Sequence, residues 1–203
     1  GLGDVYKRQE MVSGTADRHD IPQPKFRQTE ESIGAAERGT LYHFVMEHLP
    51  YEQMGDHLTA EMMLAQMQKA GLLREEERNC LKPQKFDRFM QSVLGKRMQQ
   101  AAKRGALRRE QQFMLEIPVM ELYPELESEE TVLVQGIIDA WFPEGDEIVL
   151  VDYKTDRVKE AGELKKRYEK QLAYYQQALE RTTGKKVKEK IIYSLALDEE
   201  LVL

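Results

Sequence analysis

Two hydrophobic periods divide the chain. From Ile33 onward, apolar residues recur every three or four positions: Ile33, Ala36, Leu41, Phe44, Val45 and Leu49. That is the spacing of a helix with one buried stripe. The pattern begins at Glu31, Ser32 can cap it, Gly39-Thr40 interrupts it, and Pro50 ends it. A Met-rich helix follows from Leu58 to Leu73, with Met62, Met63 and Met67 as pliable core fillers and Gly71 closing it. A short helical stretch over Glu75 to Leu81 breaks at Lys82-Pro83. Gln84 to Lys103 then reads as one long helix, with Phe86, Phe89, Met90, Val93, Leu94 and Met98 turned inward and Gly105 at its end.

Beyond Gly105 the pattern shortens to strands. Phe113 to Met120 is the first, with Pro118 marking an edge position or a bulge, and Leu122 to Glu130 is an acidic loop. Val134–Trp141 and Ile148–Thr155 are apolar and β-branched runs joined by Pro143-Glu144-Gly145-Asp146, which predicts a β-hairpin. After a loop to Glu160, Ala161 to Thr182 is amphipathic, with Leu164, Tyr168, Leu172, Tyr175 and Leu179 at helical spacing and Gly184 ending it. Val187 to Leu197 is the last strand. The order is helices, three strands, helix, strand. It predicts an α/β fold, a mixed central β-sheet flanked by helices with an N-terminal helical extension. Residues 1–30 are sparse in apolar positions, carry Pro22 and Pro24, and read as a disordered tail or linker, leaving 31–203 as one domain. Gly1 to Gln9 resembles translated adapter sequence rather than native protein.

Composition narrows the class. An apolar content of 41% with 33% charged residues suits a globular domain with a heavily charged surface. No apolar run approaches the ~20 residues that span a bilayer. The single cysteine, Cys80, excludes an internal disulfide and fits a reducing, cytoplasmic setting. It also excludes a four-cysteine iron–sulfur cluster. A net charge of −6 argues against nucleic acid, but Lys82, Lys85, Arg88, Lys96, Arg97, Lys103, Arg104, Arg108 and Arg109 face only Asp87 in their stretch. Lys96 and Arg97 are therefore candidate phosphate contacts on a local basic helix face, against the plainer reading of a solvated surface.

The candidate chemistry lies in the hairpin. Asp139 and Asp152 fall on adjacent strands, and Lys154, two residues past Asp152, shares its face. Two carboxylates about 4 Å apart repel by roughly 4 kcal/mol at an effective dielectric near 20. One must take a proton, or a cation must sit between them. Hard oxygen ligands favour Mg²⁺ or Mn²⁺. Spacing alone fits an exposed hairpin with water-facing aspartates equally well. His43 and Glu47 share a helix face.

Four pieces in order carry a resemblance: Gly39-Thr40-Leu41-Tyr42-His43, Gly136-Ile137-Ile138-Asp139, Asp152-Tyr153-Lys154-Thr155-Asp156, and Gln171-Leu172-Ala173-Tyr174-Tyr175. Together they resemble the PD-(D/E)xK nuclease core, and within it the RecB-like nuclease domain that ends AddAB-type helicase–nucleases. The resemblance implies a restriction-endonuclease-like αβββαβ core and Mg²⁺-dependent DNA cleavage. It implies catalytic roles for Asp139, Asp152 and Lys154, and metal ligation by His43, both aspartates and the Tyr153 carbonyl. Gln171 and Tyr175 would touch substrate. It further implies exonuclease action at double-strand DNA ends in recombinational repair, with a partner subunit of AddB type. No Gly-rich phosphate loop followed by Lys-Ser or Lys-Thr occurs, so the helicase motor would belong to another part of a longer parent chain. Three alternatives stay open: a catalytically inactive nuclease-fold scaffold that binds DNA or protein, a stand-alone PD-(D/E)xK exonuclease, and an unrelated structural protein in which the motifs arise by chance.

Overall fold

The computed structural model describes residues 33–53, 58–122, 125 and 129–203. The expected tail over 1–30, the Ser32 cap and most of the acidic stretch before Glu130 lie outside the described residues. Helix α1 spans Ala35–His48 and is followed by a 3₁₀ turn at Tyr51–Gln53. Helices α2 (Ala60–Lys69), α3 (Glu75–Cys80), α4 (Pro83–Gln91) and α5 (Val93–Lys103) complete the N-terminal layer. Strand β1 (Arg108–Pro118) runs into the single-turn helix α6 (Val119–Leu122). Strands β2 (Thr131–Glu144) and β3 (Glu147–Lys154), helix α7 (Ala161–Thr183), and strands β4 (Val187–Ser194) and β5 (Glu199–Val202) follow.

The five strands form one mixed sheet in the order β1-β2-β3-β4-β5. Of its neighbouring pairs only β3 and β4 are parallel, and α7 is the crossover that a parallel pair requires. Strand β3 is buried almost throughout because both faces of the sheet are covered. Val149, Val151 and Tyr153 pack against the N-terminal helices. Ile148 and Leu150 point the other way, against Leu164, Leu172 and Leu179 of α7. The mixed sheet between helices is the architecture that the two hydrophobic periods predict.

Several boundaries differ from the sequence pattern. The expected long helix over Gln84 to Lys103 is two helices. Ser92 leaves the helical conformation, and its side chain caps α5 by accepting the Gly95 N–H at 2.9 Å. The break lets the Phe89 carbonyl press against Gly95, where a Cβ would lie only 2.1 Å from that oxygen. Apolar spacing hides such a break, because Val93 continues the stripe in sequence; in the fold Val93 is exposed and α5 turns Leu94, Met98 and Ala101 inward instead. Conversely, α1 runs unbroken through Gly39-Thr40. The expected last strand to Leu197 stops at Ser194. The chain turns through Asp198, at φ 58°, and returns as β5, which pairs antiparallel with β4. In the hairpin, Gly145 at φ 68° and Asp146 make a tight two-residue turn between Glu144 and Glu147.

Gly95→Ala is expected to destabilise the domain by about 2 kcal/mol or more, through overpacking against the Phe89 carbonyl. Helix propensity alone would favour Ala by ~1 kcal/mol. Urea denaturation decides between them, and a more stable variant would mean that the α4–α5 junction yields freely.

Candidate active site

Antiparallel pairing between β2 and β3 runs from Glu144–Glu147 to Ala140–Val151 and stops there. Beyond this point β2 continues against β1 only, and β3 continues against β4 only. The sheet therefore splits at Asp139 and Asp152. At the split, the Tyr153 N–H donates to Asp139 Oδ2 at 2.7 Å, so a carboxylate replaces the missing ladder partner. The Lys154 carbonyl accepts from Leu195 on the β4 side, so by strand alternation the Tyr153 carbonyl points toward the departing β2.

A distortion in β2 aims Asp139. Its neighbours Ile138 and Ala140 lie in opposite core layers although they are two residues apart. The β1 partners keep one register on either side, Arg109 with Ala140 and Gln111 with Ile138, so no residue is inserted. The rotation falls at Glu110, opposite Asp139, which takes φ 47°. That conformation is rare for a residue with a side chain. The Glu110 carboxyl is half-buried and pushed up in pKa, first by burial and then by the Asp139 and Glu47 charges.

Asp152 is buried at the end of β3 on the α7 side, in the parity of Ile148 and Leu150. Its Oδ2 lies 2.9 Å from Lys154 Nζ, at contact distance but outside hydrogen-bonding direction, so this oxygen carries no directed hydrogen bond. Burial pushes the Asp152 carboxyl up to about 6, Lys154 opposes this, and Asp139 adds to it. Burial pulls the Lys154 ammonium down, but Asp152 outweighs it and the net shift is upward. Lys154 also donates to Gln171 Oε1 at 3.2 Å, and Gln171 Nε2 donates to the Tyr175 hydroxyl at 2.5 Å. Tyr175 is buried edge-on against Phe113, next to Gly136, where a Cβ would meet the Phe113 ring at 2.8 Å. His43 faces the split from α1, its Nδ1 3.5 Å from Asp139 Oδ1. Burial lowers its pKa, but Asp139 and then Asp152 raise it further, for a net upward shift. The approach of α1 to the loop after β3 depends on Gly39, where a Cβ would sit 2.9 Å from Thr155 Oγ1.

The structure therefore gathers Asp139, Asp152, Lys154, His43, Gln171 and Tyr175 around the sheet split. The Tyr153 side chain turns away into the core, where its hydroxyl meets that of Tyr51 at 2.9 Å. Only its backbone serves the split. Lys96 and Arg97 are not brought there. Arg97 grips Glu144 at 3.0 and 2.9 Å and Glu189 at 2.8 Å beside the hairpin turn. Glu144 is five residues along β2 from Asp139, roughly 17 Å. Lys96 is exposed on the same helix. Much of the basic face is likewise engaged: Lys85 and Arg88 pair with Asp198, and Arg109 holds the carbonyls that end α1. Glu116, on β1, is exposed and lies away from the split. Two side chains at the site were not singled out by spacing: Glu110, and Tyr168, whose ring lies under Lys154. In sequence, Tyr168 is one more apolar position of the α7 stripe.

The donor set suits a divalent cation of the Mg²⁺ or Mn²⁺ class. Asp152 Oδ2 is a buried, unsatisfied hard oxygen, and Asp139 presents Oδ1 next to an imidazole nitrogen. Among the described residues, no three His, Cys, Asp or Glu side chains already stand as a closed metal cage. The Lys154 ammonium occupies the face of Asp152 instead.

A family model described as PD-(D/E)XK nuclease superfamily matches residues 18–201. The chain is 36% identical over 183 residues to the AddA subunit of the ATP-dependent helicase/nuclease of Clostridium botulinum strain Loch Maree. It is 36% identical over 213 residues to the same subunit from Lachnoclostridium phytofermentans, and 37% identical over 188 residues to that of C. botulinum strain Alaska E43. These alignments cover 88%, 88% and 91% of the chain but only 14%, 16% and 15% of the relatives. The chain thus spans about one seventh of the length of the relatives it matches. Among the described residues, no helix is long and apolar enough to cross a membrane.

The charge cluster predicts a pH dependence of metal-free stability. Asp152 titrates near 6 when folded against 3.8 unfolded, so between those values the folded state binds more protons and stability falls as pH rises. The cost is absent below about 3.8 and complete above about 6. His43, also raised, contributes stability that is full below 6.5 and lost as pH rises through its folded value. In chelator, wild type is expected to lose about 1–3 kcal/mol more than Asp152→Asn between pH ~4 and ~7. Parallel denaturation curves at both pH values would contradict the buried, raised carboxyl.

Proposed function

The chain belongs to the PD-(D/E)XK nuclease superfamily, as a nuclease domain related to the AddA subunit of the ATP-dependent helicase/nuclease, and from that premise we propose that it is a Mg²⁺-dependent DNA exonuclease. Residues 31–203 form the catalytic unit of an AddAB-type enzyme that trims double-strand DNA ends for recombinational repair in the cytoplasm. The relatives' names couple helicase to nuclease; on this reading the motor belongs to another part of a longer parent chain and the partner subunit is of AddB type. The observation that carries the reading is the split sheet. It presents an unsatisfied buried carboxylate oxygen beside a second carboxylate, an ammonium and an imidazole.

Asp139, Asp152, His43 and the Tyr153 carbonyl are the groups that would hold Mg²⁺, with Mn²⁺ as the chemical alternative. Bound there, the ion supplies a water of lowered pKa and neutralises phosphate charge. The chain's own residues do the rest. Asp139 keeps its Oδ2 on the Tyr153 N–H, which fixes the direction in which Oδ1 points. Lys154, a triple donor with no lone pair while protonated, orients the attacking water or stabilises the negative charge that develops on the phosphorane oxygens. Gln171 holds the Lys154 ammonium toward the split, and Tyr175 holds Gln171. Both stand where an incoming DNA strand would pass. α1 and α7 pack on opposite faces of the sheet that carries the site.

Asp152→Ala is expected to abolish Mg²⁺-dependent cleavage of linear DNA while the domain stays folded and slightly more stable in chelator. Wild type should gain about 2.7 kcal/mol at a Mg²⁺ concentration 100 times the dissociation constant, and the variant should lose most of that gain. Lys154→Ala should keep the gain and cut roughly 10²–10³-fold more slowly. Thermal melts beside a cleavage assay test both. An Asp152→Ala variant that still shows the Mg²⁺ shift and still cuts DNA would sink the assignment.

A further inference from the structure

Lys154 has three N–H donors and three neighbours. It faces Asp152 Oδ2 at 2.9 Å, donates to Gln171 Oε1 at 3.2 Å, and lies 4.0 Å from the centre of the Tyr168 ring. The first neighbour is the one that catalysis takes away, because Asp152 is among the groups that would hold the cation. The ammonium must then keep its place through the other two. A ring face attracts a desolvated ammonium without accepting its proton, so it can hold the charge in position and leave a donor free.

The ring is itself locked. Its hydroxyl lies 3.0 Å from each oxygen of Asp156, and Asp156 is also paired with Arg167 at 2.9 Å. Asp156 follows Lys154 by two residues in the loop after β3, whereas Tyr168 sits on α7, so this contact ties the lysine's own strand to the helix beneath it. Tyr168 also stands one helical turn before Gln171, so the two groups that would retain Lys154 project from one face of α7. A Tyr placed only to fill the core would need neither the carboxylate on its hydroxyl nor an ammonium on its face.

We propose that Tyr168 is a positioning residue for the nuclease reaction: its ring is the seat that keeps the Lys154 ammonium aimed into the split once Asp152 turns to the cation, and Asp156 holds that ring in place. The inference rests on the nuclease reading above and deepens it by assigning the support of Lys154.

The test compares Tyr168→Phe, which keeps the ring, with Tyr168→Leu, which removes it, in the 203-residue chain. Two readouts are needed. The first is cleavage of linear duplex DNA with Mg²⁺. Tyr168→Leu should lower kcat about tenfold with KM nearly unchanged, matching the strength of a buried ring–ammonium contact. Tyr168→Phe should restore most of the rate, and both variants should keep the Mg²⁺-induced rise in melting temperature. The second readout needs no activity: acetylation of Lys154 by acetic anhydride in metal-free protein, followed by mass spectrometry. An ammonium held on three sides reacts slowly. Tyr168→Leu should speed labelling of Lys154 several-fold, and Tyr168→Phe, which keeps the ring but loses the Asp156 contact, should speed it clearly less. Equal kcat losses in Phe and Leu, or unchanged Lys154 labelling in Leu, would overturn the seat. Failure of the wild type to cleave with Mg²⁺ would instead defeat the nuclease reading, and the labelling comparison would still decide whether the ring holds Lys154.

Discussion

The rest of the site depends on one constraint: a carboxylate, Asp152, is buried at the end of the central strand with an oxygen that has the Lys154 ammonium at 2.9 Å but, among the described residues, no directed hydrogen bond. Taking a charged carboxylate out of water costs several kcal/mol, and a partner repays this only with good geometry and additional hydrogen bonds. Lys154 supplies the charge but not a directed hydrogen bond. The remaining cost appears as a carboxyl that resists ionisation, while the attraction that Lys154 does supply appears as an ammonium that resists losing its proton. An oxygen left in this condition is a poor structural device. It suits a site that waits for a cation.

The fold holds this arrangement by making the sheet do two things along one strand. Toward the hairpin turn, β3 is an ordinary core strand between two apolar layers, and that end supplies the stability. Toward its C-terminus the same strand loses β2 as a neighbour, and backbone groups that would have paired become ligands for side chains. The Glu110 backbone at φ 47° marks the place where β2 rotates away. Such a conformation costs of order 1–3 kcal/mol, and the flanking pairs Arg109–Ala140 and Gln111–Ile138 hold it in place.

The basic residues show how differently charge is used at the two ends. Nine lysines and arginines cluster between Lys82 and Arg109, yet several are spent inside the protein. Arg97 anchors the hairpin to β4 through Glu144 and Glu189, and its grip, with Lys188, holds the Glu144 carboxyl down near 2. Lys85 and Arg88 tie α4 to the β4–β5 turn through Asp198. These are bonds between helical layer and sheet edge. The ammonium that is turned to the candidate chemistry, Lys154, comes from the sheet itself.

Periodicity alone supplied much of the fold. The helical spacing of Leu164 to Leu179, the two apolar runs around Gly145, and the strand–helix–strand order determine a mixed sheet between helical layers, because burial has only those periods to work with. The Asp152–Lys154 pair was also legible, since a period of two on one strand brings those residues to one face, whereas Asp139 reaches them only through the split of the sheet and the rotation opposite Glu110. Tertiary structure decided the remainder. The break at Ser92 was invisible because Val93 extends the apolar spacing across it, and only the folded chain leaves Val93 exposed and buries Leu94 in its stead. The fate of Arg97 was invisible because Glu144 and Glu189 lie far off in sequence, and a charge run does not reveal which partners fold onto it. Tyr168 reads as one more apolar position until α7 crosses beneath β3. Only that crossing puts its ring under Lys154, because contact across layers depends on where two elements meet and not on the spacing within either.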